Sequence, residues 1–348
     1  MKSIPYPLLI LLTMTSLTMA LLSAVVIGPS NIEFKETLQI IINLLSNNQV
    51  DGLLTGVETW QQTIIYQVRL PRVICAALVG ASLAVCGAVL QGLFRNPLAS
   101  PSILGVSSGA SLGAVIAIFL GLAASSVWAL PLFAFIGAGL TLLLVYSIAS
   151  HRGHAPIGTL LLAGIAISAF NVSMSSLILA LAMQNWEVGK SIVYWTMGGL
   201  DGRGWQHVLL LLPVFLFSLL VIFSFQRDLD IMMVGEIHAN AVGVDVAKVR
   251  LYLLTITALL TGCAISVAGG IGFIGLVVPH ITRLLIGPHH RRLLPLSALI
   301  GALILVLSDL MVRGDASYAV IPLGVVTAVM GAPFFLFLLV KQRKLMQA

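Results

Sequence analysis

Ten apolar runs follow one another along this chain, joined by mostly short polar links. Most of them reach the roughly 20 residues that a helix needs to cross the hydrocarbon core of a bilayer. Their approximate limits are 8–27, 71–93, 98–121, 128–149, 158–183, 205–225, 249–268, 272–286, 293–312 and 321–340. Only 9% of the residues are charged, whereas soluble domains carry about 25%. The sequence therefore predicts an all-α, polytopic membrane protein of about ten transmembrane helices, with residues 1–348 forming one domain.

Three of the runs carry special features. The run 8–27 is too long for the apolar core of a secretory signal, so we interpret it as an uncleaved span. The run 272–286 is too short and too polar for an ordinary span, which predicts a half-length helix packed inside the bundle. Pro333 predicts that the inner half of the last run, 321–340, is bent or broken.

The distribution of Lys and Arg predicts the orientation of the chain. With the N-terminus inside, 12 of the 18 basic residues fall on the inner side: Lys2, Arg95, Arg152, Arg227, Lys248, Arg250, Arg283, Arg291, Arg292, Lys341, Arg343 and Lys344. Because cytoplasmic loops carry the excess of basic residues, this bias favours inner N- and C-termini. The net charge of +6 is accordingly interpreted as loop bias, and nucleic acid is not expected as a partner.

Small residues repeat every four positions in two of the runs. One row extends from Gly80 to Ala88 and the other from Gly105 to Gly113. Such rows let helix backbones approach each other closely inside a membrane. We expect them to have a structural role.

A polar stripe marks the fifth run, where Ser168, Asn171 and Ser175 share one helix face. Exposure of these groups to lipid would be costly, so the face must meet protein or water. Two interpretations remain open: hydrogen bonds between helices, or the lining of a polar route.

The segment 226–248 is the most polar link on the predicted inner side. Its pattern predicts a short helix from Glu236 to Val242, which Gly243 would end. The apolar residues that precede this helix need cover, and a compact helical loop of this kind suits the docking of a soluble protein. On the predicted outer side, residues 37–45 form an amphipathic piece.

Charged residues cluster at the predicted outer ends of two runs. Arg69 and Arg72 flank Pro71 at the start of the second run, where they oppose the helix dipole. They could anchor the helix among lipid headgroups or meet acidic groups of a partner. Asp309 and Arg313, four residues apart, are expected to pair on one helix face and to present Arg313 at the surface.

Several function classes find little support. A secondary transporter needs ionisable residues at mid-membrane, and only Asp309 is a candidate. A channel would need rings of charge or a carbonyl filter, and a membrane enzyme would need clustered acids or histidines. His280 is alone in its run, which favours a structural role. No phosphate-binding loop occurs, and the three cysteines predict buried thiols. We expect no catalytic residue, cofactor or metal site.

Nine segments of the chain form an ordered set of motifs: QVRLPR (67–72), NPLASPSILGVSSGA (96–110), LLLAG (160–164), YWTMGGL (194–200), GEIHANAVG (235–243), GFIGLVVPHITRLL (272–285), HRRLLPLSALIGA (290–302), SDLMVR (308–313) and PLGVVTAVMGAPFF (322–335). In this order they resemble the permeases of binding-protein-dependent ABC importers for iron-siderophores, haem and cobalamin, the FecCD type. The resemblance covers nearly the whole chain and implies the fold of a type II ABC importer permease.

The resemblance also implies the partners and the cargo. Two copies would form the membrane core in the bacterial inner membrane, with a substrate route at their interface. Two ATPase subunits would bind on the cytoplasmic face through the segment 226–248, and a periplasmic binding protein would dock on the other face. The cargo would be an iron chelate, either a siderophore or haem, with cobalamin as the alternative.

The resemblance finally implies roles for particular residues. The positions that dock the binding protein in the family correspond to Arg69, Arg72 and Arg313. The positions that contact the ATPase correspond to Gly235, Glu236, Ala239 and Gly243. The positions of an inner gate correspond to Asn96 and Leu98. The polar stripe, with Met174 and Thr327 added to Ser168, Asn171 and Ser175, would contact the cargo. The chain departs from the pattern at two places: Ile157 and Gly158 stand where some members have a Thr-Ser gate, and the acid expected just before Pro322 is found only at Asp315.

Overall fold

The computed structural model of the chain describes residues 5–30, 32–46, 56–150, 156–313 and 321–347, without the side chains of 45 and 338–347. This described part folds entirely into helices and connections, which confirms the all-α prediction. The helices are α1 (Tyr6–Val26), α2 (Phe34–Leu45), α3 (Thr59–Thr63), a π-helical segment (Ile64–Arg69), α4 (Leu70–Leu93), α5 (Val106–Phe119), α6 (Leu122–Ser125), α7 (Ala129–Ala149), α8 (Ile157–Ala182), α9 (Trp186–Thr196), α10 (Trp205–Ser224), α11 (Gln226–Val234), α12 (Glu236–Ala241), α13 (Val246–Ala268), α14 (Ile274–Ile286), α15 (His290–Val312) and α16 (Leu323–Gln347).

The helices reproduce the predicted set of spans. Within the described residues, seven helical stretches are long and apolar enough to cross a bilayer, and three shorter apolar helices accompany them. The half-length helix predicted near 272–286 is one of the short ones, α14. The amphipathic piece of the first long connection forms α2, and the three cysteines are buried free thiols, as predicted.

Two predicted boundaries were wrong. The second span does not start at Pro71, because the π-helical segment carries the helix back to Thr59. A π turn of this kind lets the helix continue past Pro71, which has no backbone N–H to donate. The third span is shorter than predicted, since α5 begins only after Gly105, which adopts a left-handed φ of 78°. Pro333 lies inside α16, which continues to Gln347, so the last span is not broken at this proline.

The helix α4 lies at the centre of the bundle, where it packs against α10, α13, α14 and α15. In its most apolar stretch 83% of the residues are buried, whereas only 11% are buried in α8. The helix α8 therefore presents most of its surface away from the chain. That surface is apolar, which in a membrane protein means contact with lipid or with another polypeptide.

Close helix contacts explain the rows of small residues. A Cβ at Gly80 would come within 2.2 Å of the Gly301 carbonyl oxygen, and one at Gly109 within 2.5 Å of the Gly137 carbonyl oxygen. The contacts join α4 to the antiparallel α15 and α5 to α7. No side chain fits at either crossing, so the structural role predicted for the rows is confirmed.

Because α4 and α15 are antiparallel, the bundle has two distinct ends. We call the end that holds Arg72 and Asp309 the arginine end. The opposite end, which holds the turn at Asn96 and the start of α15 at His290, is called the turn end.

Candidate functional site

A cavity of about 680 Å³ opens among α5, α8, α9 and the segment 270–276. Its lining is uncharged and rich in hydroxyl groups: Ser100, Ser102, Ser107, Ser108, Ser111, Ser168, Ser175, Ser176 and Thr196. Apolar side chains and the backbone of Gly270 and Gly272 complete the wall. Such a surface can offer single, weak hydrogen bonds to a large polar molecule but has no charged group to hold it.

The sequence left two roles open for the polar stripe of α8, helix–helix hydrogen bonding and the lining of a polar route, and its residues differ in this respect. Ser168 and Ser175 line the cavity. The buried Asn171 instead donates its amide N–H groups to Ser108 Oγ at 3.2 Å and to Thr141 Oγ1 at 3.0 Å, which ties α8 to α5 and α7. Helix–helix bonding and cavity lining are therefore both present, on neighbouring residues of one face.

The other two residues assigned to the cargo route lie elsewhere. Met174 is half-buried and is not part of the cavity wall. Thr327 is buried, and its hydroxyl donates to the Gly324 carbonyl oxygen at 3.0 Å. Neither contacts the cavity within the described chain.

A glycine-rich connection forms the wall opposite α8. Gly269 ends α13 with a positive φ of 69°, and Phe273 starts α14 with a φ of 66°, which is unusual for a residue with a side chain. A Cβ at Gly198 would lie 2.4 Å from the Gly270 carbonyl oxygen. The backbones are thus packed directly on one another beside the cavity.

At the arginine end, Arg69 is buried and satisfies the carbonyl groups that end α1. Its Nη1 donates to Val25 O at 2.9 Å and to Val26 O at 2.6 Å, and its Nη2 donates to Ser30 O and Oγ at 2.7 Å. A cation is favourable at a helix C-terminus, where carbonyl groups lack partners. Arg69 therefore holds α1 against the π-helical segment.

Arg313 pairs with Asp309 as predicted, but it is not presented at the surface. Its side chain is buried, with Nε donating to Asp309 Oδ2 at 2.8 Å and Nη1 to Ala24 O at 2.5 Å. The expectation of surface exposure was wrong, because the C-terminal carbonyl of a neighbouring helix captures the guanidinium. This packing could not be foreseen from the spacing of Asp309 and Arg313.

Of Arg69, Arg72 and Arg313, only Arg72 reaches toward solvent. Its Nε and Nη2 donate to Asp309 Oδ1 at 3.0 and 2.9 Å, and its Nη1 lies 2.5 Å from Asp201 Oδ1. The Asp309 side chain is 1% exposed, whereas that of Asp201 is 63% exposed. Arg72 thus bridges a buried and an exposed carboxylate.

At the turn end, Asn96 and Leu98 form the tight turn between α4 and the start of the third span. Asn96 Oδ1 accepts the Leu98 backbone N–H at 2.9 Å, and the Leu98 side chain is exposed. The preceding Arg95 adopts a φ of 50°. Ile157 begins α8, and a Cβ at Gly158 would meet open space.

The segment 226–248 also lies at the turn end, where it forms α11, α12 and the start of α13. The helix α12 covers Glu236–Ala241 and Gly243 has a φ of 91°, so the predicted short helix is confirmed. Glu236 pairs with Arg250 of α13 at 2.5 Å. Ala239 is fully buried, while Ile237 is 84% exposed.

Hydrogen bonds between Asp230 and His290 fix α11 to the start of α15. Asp230 Oδ1 accepts the His290 backbone N–H at 2.9 Å and lies 2.6 Å from His290 Nδ1. Burial raises the pKa of the Asp230 carboxyl, but the hydrogen bonds from His290 and the nearby His289 lower it by more. The pKa of Asp230 therefore ends below its usual value, and the carboxylate is ionised at neutral pH.

Sequence reasoning missed several residues of these sites. The serines of α5 carried a signal, because Ser107, Ser108 and Ser111 recur at helical spacing like the stripe of α8. The exposure of Val234 and Val242 on either side of α12 was not predicted, although both are apolar residues of the predicted docking segment. Asp201 carried no such signal, since only the fold brings it to Arg72.

Known proteins are similar to this chain in sequence and in fold. The FecCD transport family matches residues 14–341. The cobalamin import system permease protein BtuC of Halobacterium salinarum is 44% identical over 284 residues, which are 82% of this chain and 75% of that protein. The Fe(3+) dicitrate transport system permease protein FecD of Escherichia coli is 42% identical over 280 residues, 80% of this chain and 86% of that protein.

A solved structure supports the same assignment. An inward-facing conformation of a metal-chelate type ABC transporter superposes with a TM-score of 0.82 at 32% identity, covering 96% of this chain and 99% of the other. The family match, the relatives and the multi-pass helical fold agree. This chain therefore belongs to the FecCD transport family and is the membrane-spanning permease subunit of an ABC importer.

Proposed function

We propose that two copies of this chain form the translocation pathway for an iron chelate, a siderophore or haem, across a bacterial inner membrane. Each copy pairs with an ATPase subunit that hydrolyses ATP, and the chain itself does no catalysis. One observation carries the proposal: the cavity beside α8 is lined by hydroxyl groups and contains no charged residue. Conduction needs contacts that are weak enough for release.

The cargo route in this proposal runs along the stripe of Ser168, Asn171 and Ser175. Met174, on the same helix, and Thr327, in α16, complete the residues that we assign to it. The largely unburied surface of α8 supports the idea that the route continues between the two copies. In that arrangement Ser168 and Ser175 contact the cargo, and Asn171 keeps α8 in register with α5 and α7.

Cobalamin is the second candidate cargo. It is favoured by the 44% identity with a protein named as a cobalamin import system permease. The iron chelate is favoured by the 42% identity with a protein named as an Fe(3+) dicitrate permease. Both cargoes are large polar chelates, and the hydroxyl-lined wall suits either.

Uptake by the reconstituted importer decides between them. The permease is placed in vesicles with its ATPase and its substrate-binding protein, and haem, a ferric siderophore and cyanocobalamin are offered separately. We expect ATP-dependent uptake of an iron chelate. Uptake of cobalamin alone would replace the proposed cargo by the alternative. Uptake that persists without the ATPase would contradict the importer function itself.

The arginine end is the proposed docking surface for the substrate-binding protein, with Arg69, Arg72 and Arg313 as its basic residues. Arg72 makes the contact, because it alone of the three reaches toward solvent. Arg69 and Arg313 keep the neighbouring helix ends in place beneath it. The termini then lie on the cytoplasmic side, in agreement with the positive-inside bias.

The segment 226–248 is the proposed coupling element for the ATPase. The exposed apolar residues Val234, Ile237 and Val242 offer the contact surface. Gly235 and Gly243 end the helices α11 and α12 with positive φ values, Glu236 secures α12 to α13, and Ala239 packs it against the bundle.

Asn96 and Leu98 are the proposed inner gate. The turn that they form lies at the same end as the coupling element, and Arg95 within it has a guanidinium close to Gly235. A contact between the gate turn and the coupling element gives the ATPase a direct route to the gate. Replacement of Leu98 by Ala should raise leakage of cargo from loaded vesicles without ATP, and unchanged leakage would remove Leu98 from the gate.

A further inference from the structure

Asp201 is an exposed carboxylate that pairs with Arg72, the most exposed of the three arginines assigned to docking. Its Oδ1 lies 2.5 Å from Arg72 Nη1, and its side chain is 63% exposed against 17% for Arg72. Asp309 already neutralises the other side of the same guanidinium, with bonds from Nε and Nη2. The bond from Nη1 to Asp201 is therefore the part of this ion network that a docking molecule can reach.

We propose that Asp201 is a placeholder, which an acidic group of the docking substrate-binding protein displaces from Arg72. This inference rests on the proposed docking at the arginine end and adds the competitor that docking must overcome. An exposed ion pair is weak because water screens it. A carboxylate buried in a protein interface gains more from the same guanidinium, since its hydrogen bonds are charge-assisted and desolvated.

The surroundings of Asp201 allow this exchange without loss of the fold. Asp201 belongs to the connection between α9 and α10, which is fixed on both sides of it. The Gly199 N–H donates to Ala268 O at 2.8 Å, and Arg203 Nε donates to Val267 O at 2.5 Å. Arg72 in turn stays bound to the buried Asp309. Release of the Asp201 side chain therefore breaks one exposed ion pair and leaves the backbone anchored.

The same connection lies next to the cavity. Gly198, three residues before Asp201, packs on the backbone of Gly270, which belongs to the cavity wall. Docking that frees Asp201 thus acts on a connection that also contacts the cavity wall. This contact gives the docking protein a short structural path to the place where we expect its cargo to be delivered.

The test measures the dissociation constant of the system's own substrate-binding protein for the permease–ATPase complex in lipid nanodiscs. The variants are Asp201→Asn, Arg72→Gln, the two together, and Glu187→Gln as a matched control for an exposed acid between α8 and α10. We expect Asp201→Asn to tighten binding about two- to fivefold, the range of an exposed ion pair. Arg72→Gln should weaken binding, and Glu187→Gln should leave it unchanged.

The double variant separates displacement from a general change of charge. If Asp201 competes for Arg72, its replacement has no effect once Arg72 is glutamine. Tightening that persists in the Arg72→Gln background, or that Glu187→Gln reproduces, overturns the placeholder role. Unchanged or weaker binding of Asp201→Asn, with Arg72→Gln still weakened, overturns it as well and leaves the docking proposal intact. Unchanged binding of Arg72→Gln removes docking at Arg72 and the placeholder with it.

Discussion

Replacement of Asp309 by Asn should destabilise the permease far more than the same replacement at Asp201. Asp309 is almost fully buried and accepts hydrogen bonds from both Arg72 and Arg313. Breaking a buried ion pair by removing one partner costs about 3–5 kcal/mol, because the remaining charge is left without compensation. The exposed pair between Arg72 and Asp201 is worth about 0–1 kcal/mol.

These energies convert into a measurable shift of the unfolding temperature. The unfolding entropy is about 2.1 cal/mol/K per residue over 348 residues. Each kcal/mol lost from the free energy of unfolding therefore lowers the Tm by roughly 1.4 °C. We therefore expect a fall of about 4–7 °C for Asp309→Asn and of at most about 1.5 °C for Asp201→Asn.

The chain carries its own reporter for this experiment. Cys75, Cys86 and Cys263 are buried free thiols, so a thiol-reactive fluorescent dye labels them only as the fold opens. The wild type, Asp309→Asn and Asp201→Asn are heated in the same detergent with this dye. Equal melting of Asp309→Asn and the wild type, or equal losses for the two variants, would refute the argument that burial decides the cost.

Three further predictions concern the crossings and the turn end. Gly301→Leu should prevent correct packing of α15 on α4, since a Cβ at Gly301 would lie 2.4 Å from the Gly80 carbonyl oxygen. Gly139→Leu should be tolerated, because a Cβ there would have nothing within 4 Å. Size-exclusion chromatography after extraction compares the two variants. Ile237→Arg should leave the permease folded but lower ATP-dependent uptake at least tenfold, measured beside its thermal stability; normal uptake would remove Ile237 from the ATPase contact. Since the pKa of Asp230 is lowered in the fold, its ionised carboxylate stabilises the fold above the ordinary carboxyl pKa of about 4, and this contribution is lost as the pH falls through the lowered pKa. Asp230→Asn should therefore be less stable than the wild type at pH 7, with the difference shrinking toward pH 3 in the same melting assay.

The proposed route from the ATPase to the gate passes a buried histidine at the turn end. His290 is fully buried between Asp230 of α11 and the end of α4, where a Cβ at Gly92 would lie 2.4 Å from its Nε2. The gate turn begins a few residues after Gly92. The coupling element and the end of α4, which leads into the proposed gate turn, are therefore packed against one common side chain at the start of α15.

Much of the fold could be predicted because the bilayer restricts what an apolar run can do. A run of 20 apolar residues must satisfy its backbone as a helix, so most spans, the half-length α14 and the all-α class followed from hydrophobic length. The rows of small residues indicated helix crossings for the same reason, since Gly80 and Gly109 leave room for a second backbone. Boundaries near proline and glycine were less predictable, as Pro71 and Gly105 show, because the local hydrogen bonding chooses between a π turn, a loop and a stop.

The sequence by itself determined that this is a multi-pass helical permease, because hydrophobic length and ordered motifs are properties of single segments. It also determined the pairing of Asp309 with Arg313, which lie on one helix. Only the tertiary structure decided that Arg69 and Arg313 are buried by the end of α1, and that Asp201 reaches Arg72 across 129 residues of chain. It also decided which serines share one cavity. These contacts join segments that are distant in sequence, and their geometry depends on how the helices pack.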